Sequence, residues 1–254
     1  MYVNTTGIVL RETAYRDSSK ILTVLTRTQG KLTVTARGAL RRNSKLAAAT
    51  QLLVFSEMTL FVNKDRWTLT EARSVEQFRG LQQDVVKLAL GSYIAELTEA
   101  TADEDSQSPE LLSLCLNALF ALSEGLQDAS IIKPAFELRL LAISGFAPLV
   151  SHCNVCGTDT FDVGGVLDYA GGVLKCKNCA PQTGAVLGTS AISAARYIIS
   201  CEQKKVFSFS LGPIALGELS SAVEGYLLMQ LDRRFRTLEF LRQFSALGTD
   251  IIKG

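Results

Sequence analysis

The chain has 254 residues, of which 47% are hydrophobic and 20% charged, a balance that excludes a disordered polypeptide and suits two modules of roughly 100 to 150 residues. No stretch stays apolar long enough to span a bilayer, and residues 1–6 offer neither a basic n-region nor an apolar h-region, so the expected location is the cytoplasm with no membrane partner. The net charge of +1 hides an asymmetry: residues 1–80 carry 13 Lys and Arg against 6 Asp and Glu, and the remainder 13 against 19, which points to a polyanionic partner for the N-terminal part alone.

In chain order, residues 2–10, 20–27, 31–36, 52–62 and 66–73 are rich in Val, Thr, Ile, Leu and Phe and read as five strands. Polar and apolar residues alternate in Lys31-Leu32-Thr33-Val34-Thr35-Ala36, the pattern of a half-buried antiparallel strand, and Gly30 ends the turn before it. Five short strands in this length predict a small barrel such as an OB-fold, with an SH3-like barrel as the competing architecture. From Leu81 the period becomes helical. Ser108-Pro109-Glu110 opens a helix that Gly125 closes; further helices are expected over 129–144, 189–201 and 213–231, with a short one over 237–244. The class is α+β: a barrel domain over 1–79, a helical domain over 80–149 and 183–254, and a cysteine-bearing insertion over 150–182 with glycine pairs at 164–165 and 171–172.

Within that insertion, Cys153-Asn-Val-Cys156 and Cys176-Lys-Asn-Cys179 are two C-x₂-C pairs at the spacing of a four-cysteine zinc site. Four sulfurs fill a tetrahedron and leave no position for an activated water, so one structural zinc ion is expected rather than catalysis. Free thiols, a redox pair or an iron–sulfur cluster are the other readings of the same residues. His152, the lone histidine, adjoins a cysteine set that is already complete, and Cys115 and Cys201 sit at apolar helical positions as small core residues.

Arg37-Gly38-Ala39-Leu40-Arg41-Arg42-Asn43-Ser44-Lys45 places four cations in one loop with no interleaved carboxylate. Most charge clusters are solvated surface. Here the surrounding basic barrel and Gly38, which lets backbone approach a phosphate, favour nucleic-acid contact, with Arg27, Lys31, Lys64 and Arg66 near strand ends as further candidates. Trp67 is either a stacking surface beside Arg66 or part of the core. No phosphate-binding loop, nucleophile elbow or dinucleotide fingerprint occurs, so an enzyme is not expected; a metal-dependent nuclease built on Asp103-Glu104-Asp105 is the weak exception.

The chain resembles the bacterial recombination mediator family RecO. The likeness rests on Gly7-Ile8-Val9-Leu10, on Tyr15-Arg16-Asp17-Ser18-Ser19-Lys20, and on Gly30-Lys31 followed by Ala36-Arg37-Gly38-Ala39. It continues in Ser144-Gly145-Phe146-Ala147-Pro148-Leu149 ahead of the first cysteine pair, in Gly171-Gly172-Val173-Leu174 ahead of the second, and in a closing helix around residues 231–241. The resemblance implies an N-terminal OB-fold, a helical C-terminal domain with a zinc-binding insertion, and a non-catalytic activity: binding single- and double-stranded DNA, annealing complementary strands, and acting with RecR to load RecA onto DNA covered by single-stranded DNA-binding protein. It further implies that the acidic tail of that last protein docks on the helical domain, where Arg233, Arg234 and Arg236 are candidate cations, and that the protein is bacterial, cytoplasmic and associated with the nucleoid. A zinc-containing protein-interaction adaptor that never touches DNA is the alternative.

Overall fold

The computed structural model describes residues 1–104, 106–180 and 183–250, the side chains of 245–250 excepted. Asp105, Gln182 and the last four residues of the expected helical domain therefore lie outside the described residues. Five strands, β1 (Tyr2–Tyr15), β2 (Ser19–Thr26), β3 (Gly30–Ala36), β4 (Phe55–Asn63) and β5 (Arg66–Glu76), close a barrel in the order β1-β2-β3-β5-β4. β1 is long enough to serve two neighbours. Its first half pairs with β4 and its second with β2, and a register shift between Val9 and Arg11 lets it curl from one to the other. A parallel contact of β3 with β5, Val34 against Trp67 and Thr35 against Thr68, completes the closure. This is the OB-fold rather than the SH3-like alternative.

The alternation read in β3 sets its orientation: Leu32, Val34 and Ala36 are buried, whereas Lys31, Thr33 and Thr35 are not. With Val9, Leu22, Val24, Met58, Leu60 and Leu69 they form the barrel core. β4 begins at Phe55, later than expected, because residues 37–54 run as successive turns. The amides of Arg41, Ser44 and Ala47 donate to the carbonyls of Gly38, Arg41 and Ser44, and a 3-10 turn follows at Ala48–Thr50.

Six helices and three short strands follow: α1 (Val85–Thr101), α2 (Pro109–Glu124), α3 (Ala129–Ile143), β6 (Gly165–Asp168), β7 (Val173–Cys176), β8 (Ala185–Leu187), α4 (Thr189–Ser200), α5 (Pro213–Leu231) and α6 (Arg236–Asp250). α1 starts four residues after Leu81. A 3-10 turn over Arg79–Gln83 comes first, and Asp84 then caps the helix by accepting from the amides of Val86 and Lys87. α6 is longer than the short helix expected.

The chain divides into two compact units, Met1–Glu124 with Phe235–Gly254, and Gly125–Arg234. In the first, α6 returns to the barrel's own helices: Phe235 packs edge-on against Tyr93 of α1, and Glu96 of α1 accepts from the amide and hydroxyl of Thr237 at the start of α6. In the second, α3, α4 and α5 pack together beside an antiparallel sheet of order β7-β6-β8. That sheet was not foreseen from sequence, and its third strand lies beyond residue 182.

Candidate nucleic-acid interface and metal centre

The outer face of the barrel carries a groove of about 850 Å³. Its floor is the outward row of β2, β3 and β5, with Ile21, Thr33, Thr35 and Thr68, and its walls are Tyr15, Arg16 and Ser18 from the β1–β2 turn, Arg37 and Arg41 from the β3–β4 loop, and Asp65 and Arg66 from the β4–β5 hairpin. The loop is held although its cations are exposed. Ala39 is buried in the barrel, the Leu40 amide donates to the Ser18 carbonyl, and the Gly38 amide to the Ser19 hydroxyl, so the β3–β4 loop is stitched to the β1–β2 turn.

Of the eight predicted cations, Arg37, Arg41 and Arg66 come together in this groove. Arg42 and Lys45 are exposed on the same loop, and Lys64 is exposed in the hairpin turn, where it and Asp65 adopt left-handed backbone. Among the described residues, none of these six has a carboxylate partner, so their charge is open to a polyanion. Arg27 and Lys31 are elsewhere. Arg27 lines a second cavity with Thr5, Thr28, Glu57, Glu71 and Arg73, where cations and carboxylates balance, and Lys31 donates to the carbonyl of Glu99 on α1.

Arg16 was missed by sequence reasoning. It stands over the Tyr15 ring at 5.0 Å, in a left-handed turn that a strand pattern does not announce. Trp67 lies on the inward face opposite Val62, half-buried against the barrel core, and contributes to the groove wall only from there. Of the acidic run, Asp103 is exposed and Glu104 forms an isolated backbone β-bridge with Lys31, whereas Asp105 lies outside the described residues.

The four predicted cysteines converge. The sulfurs of Cys153, Cys156, Cys176 and Cys179 all lie within 4.8 Å of one another, and Cys156 and Cys176 are 3.7 Å apart. A metal with sulfur ligands at about 2.3 Å needs tetrahedron edges of about 3.8 Å, so the donor set fits such an ion. Each pair is bent into the cluster by its own turn. The Gly157 amide donates to the Cys153 carbonyl and the Cys179 amide to the Cys176 carbonyl, and Gly157 takes the positive φ that the first turn requires.

Electrostatics favour a cation at the centre. Burial alone would raise the Cys153 thiol, but amides of Cys156, Cys176 and Val155 outweigh it and bring it down to about 6. Cys179 is instead pushed up to about 12, by sharing a proton with Cys176 and then by burial. One sulfur ionises readily while a neighbour resists, because four crowded sulfurs cannot all be negative without positive charge between them. His152 is not in the cluster; its Nδ1 lies 2.9 Å from the Ser151 hydroxyl. Cys115 is fully buried with its thiol pushed up to about 12, chiefly by burial, and Cys201 is half-buried with its thiol also raised. Among the described residues, no helix is long and apolar enough to cross a membrane.

An OB barrel with a cation-rich groove, in a chain that also holds a four-cysteine cluster able to bind a metal, defines a class of multidomain OB-fold protein. The chain belongs to the RecO family: residues 1–78 match the family model described as "Recombination protein O N terminal" and residues 82–239 the one described as "Recombination protein O C terminal". Curated relatives agree. A protein named DNA repair protein RecO from Acetivibrio thermocellus is 32% identical over 242 residues, covering 95% of this chain and 96% of that one. One of the same name from Symbiobacterium thermophilum is 33% identical over 94% of this chain and 96% of its own length, and one from Listeria monocytogenes is 37% identical over 61% and 60%. The resemblance carried by the sequence motifs is borne out.

Proposed function

We propose that this protein is a non-catalytic recombination mediator in DNA repair, which binds single- and double-stranded DNA, anneals complementary strands without ATP, and with RecR promotes loading of RecA onto DNA covered by single-stranded DNA-binding protein. The observation that carries the reading is the groove, where Arg16, Arg37, Arg41 and Arg66 line one cavity with a single carboxylate, Asp65, and form no ion pair among the described residues, in a chain of the RecO family. Phosphates seated there would release counterions, and cations facing two backbones at once would lower the repulsion that keeps strands apart. Arg42, Lys45 and Lys64, exposed at the rim, would extend the contact; Arg27 and Lys31, placed elsewhere, would contribute little. RecR is expected on the barrel side. The acidic tail of single-stranded DNA-binding protein is expected on the helical part, with Arg233 and Arg234, and separately Arg236, as candidate cations, and the location is the bacterial cytoplasm at the nucleoid. The four cysteines would hold one structural zinc ion that stabilises the fold and leaves no open ligand position.

Annealing of complementary oligonucleotides, measured without ATP for the wild type and for Arg37→Ala/Arg41→Ala/Arg66→Ala, tests the reading. The triple variant should anneal slowly, and the slope of log affinity against log salt should fall by about 3, one for each phosphate contact removed. A wild type that neither binds nor anneals DNA at low salt would instead favour the adaptor reading.

A further inference from the structure

Strand register extends the groove floor into a single row across the barrel. Ile21 of β2 pairs with Thr35 of β3, Thr35 with Thr68 of β5, Thr68 with Phe61 of β4, and Phe61 with Tyr2 of β1. Side chains in one such row point to one face of the sheet. The first three belong to the groove; Phe61, paired with Thr68, continues its floor on the barrel's outer side, and Tyr2 lies one strand further round the barrel. There they form an aromatic pair, with ring centroids 5.1 Å apart and planes inclined by 53°, and Tyr2 is 67% exposed. Arg66, an outward groove cation, sits two residues along β5 from Thr68, and Lys64 is in the adjoining turn.

Phe61 is half-buried beneath the exposed Tyr2, so the pair presents an aromatic surface to solvent at the barrel's outer side. Of the other aromatics of this region, Tyr15 in the groove wall has Arg16 over its ring, and Trp67 packs against the barrel core opposite Val62. We propose that Tyr2 and Phe61 form a stacking platform for unpaired bases of single-stranded DNA, continuous with the cationic groove, so that the strand runs from Arg37 and Arg41 across Thr35 and Thr68 onto the two rings. This rests on the DNA-binding reading above and adds a division of labour. The cations hold phosphates of any DNA, whereas the ring pair engages only bases freed from a duplex, whose faces are otherwise stacked on each other. The platform would add affinity for single strands over duplex and keep bases splayed and available to a complementary strand.

The full-length protein is titrated with an oligothymidylate, with an abasic oligonucleotide of equal length, and with a duplex, for the wild type, Tyr2→Ala, Tyr2→Phe and Phe61→Leu, the last keeping apolar bulk without a ring. Tyr2→Ala and Phe61→Leu should each weaken oligothymidylate binding by between about fivefold and a hundredfold, the range for loss of a stacked base, with the salt slope unchanged because no phosphate contact is lost. Tyr2→Phe should bind as the wild type does, and neither abasic nor duplex affinity should move. A wild type that binds the thymidylate and abasic strands equally, or variants that weaken all three ligands alike, would overturn the platform while leaving the groove intact. Absence of DNA binding by the wild type would remove the functional reading itself, and the platform with it.

Discussion

Lys133 of α3 stands between two carboxylates, 2.8 Å from Glu137 one turn along the same helix and 2.7 Å from Glu224 of α5. Glu137 is fully buried, and the ammonium beside it offsets part of the cost of keeping its charge in the interior. Burial disfavours charge on Lys133, but attraction from Glu137 and Glu224 outweighs it and raises the lysine above its ordinary value. A group whose pKa rises on folding stabilises the fold below its unfolded value and loses that contribution as pH climbs through the folded one. The Lys133 contribution is therefore complete at neutral pH and is lost only in alkali, which a series of urea midpoints against pH would show as a flat neutral region and a fall on the basic side. Lys133→Met should cost about 3–5 kcal/mol at neutral pH by removing the ammonium beside the buried Glu137 charge. Adding Glu137→Leu should restore much of the loss; a double variant as unstable as the single would mean that shape, not charge, was the cause. The i,i+4 spacing of Lys133 and Glu137 is plain in the sequence, but it is the same spacing that a solvated surface pair would have. Only the packing of α5 shows that this one is interior.

The elements that were legible are those whose signal is local. Period-two alternation gave β3, the Pro109 start and the Gly125 stop gave α2, and two C-x₂-C spacings gave the four-cysteine cluster, because two residues between sulfurs is already a geometric statement. Long-range pairing was not legible. The parallel contact of β3 with β5 that closes the barrel is only two residue pairs long, and the row from Ile21 to Tyr2 depends on four registers at once. The sheet of β6, β7 and β8 escaped notice because its strands are 4, 4 and 3 residues long and are flanked by glycines, which read as loop. Two predictions belong to this sheet. Cys176 is at once a cluster sulfur and the β7 partner of Gly165, so treatment with a chelator, if the proposed zinc is bound, or Cys176→Ser, should speed amide hydrogen exchange through β6 and β7 and leave β1–β5 unchanged. Faster exchange in the barrel as well would show that the cluster supports more than its own surroundings. Gly164 has φ +81°, and a Cβ there would meet the Leu187 carbonyl of β8 at 2.5 Å. Gly164→Ala should cost about 1–3 kcal/mol and free the β8 amides first.

At the scale of the whole molecule, the chain leaves its first unit after Glu124, builds the second from Gly125 to Arg234, and then returns with Phe235 and α6 to complete the first. The barrel's unit is therefore not finished until the last segment has docked. Phe235 is buried against Tyr93, Leu238 and Leu241 are buried along the same helix, and Glu96 supplies the cap that the α6 N-terminus would otherwise lack. No local pattern announces such a return: the sequence around residue 235 reads as one more amphipathic helix, and only packing assigns it to elements formed at the other end of the chain. Phe235→Ala should remove about 3–5 kcal/mol from the first unit, the usual cost of emptying a buried aromatic site. Trp67, the single tryptophan, is half-buried against the barrel core and so reports that unit's unfolding by its fluorescence. Phe240→Ala provides the contrast on the same helix. Phe240 is exposed and pairs only with the Phe244 ring among the described aromatic contacts, so its loss should cost no more than about 1.5 kcal/mol. A Trp67 transition displaced strongly by Phe235→Ala and little by Phe240→Ala would establish α6 as a structural part of the barrel's unit, whereas a transition indifferent to Phe235→Ala would show that the barrel and its first two helices fold without it.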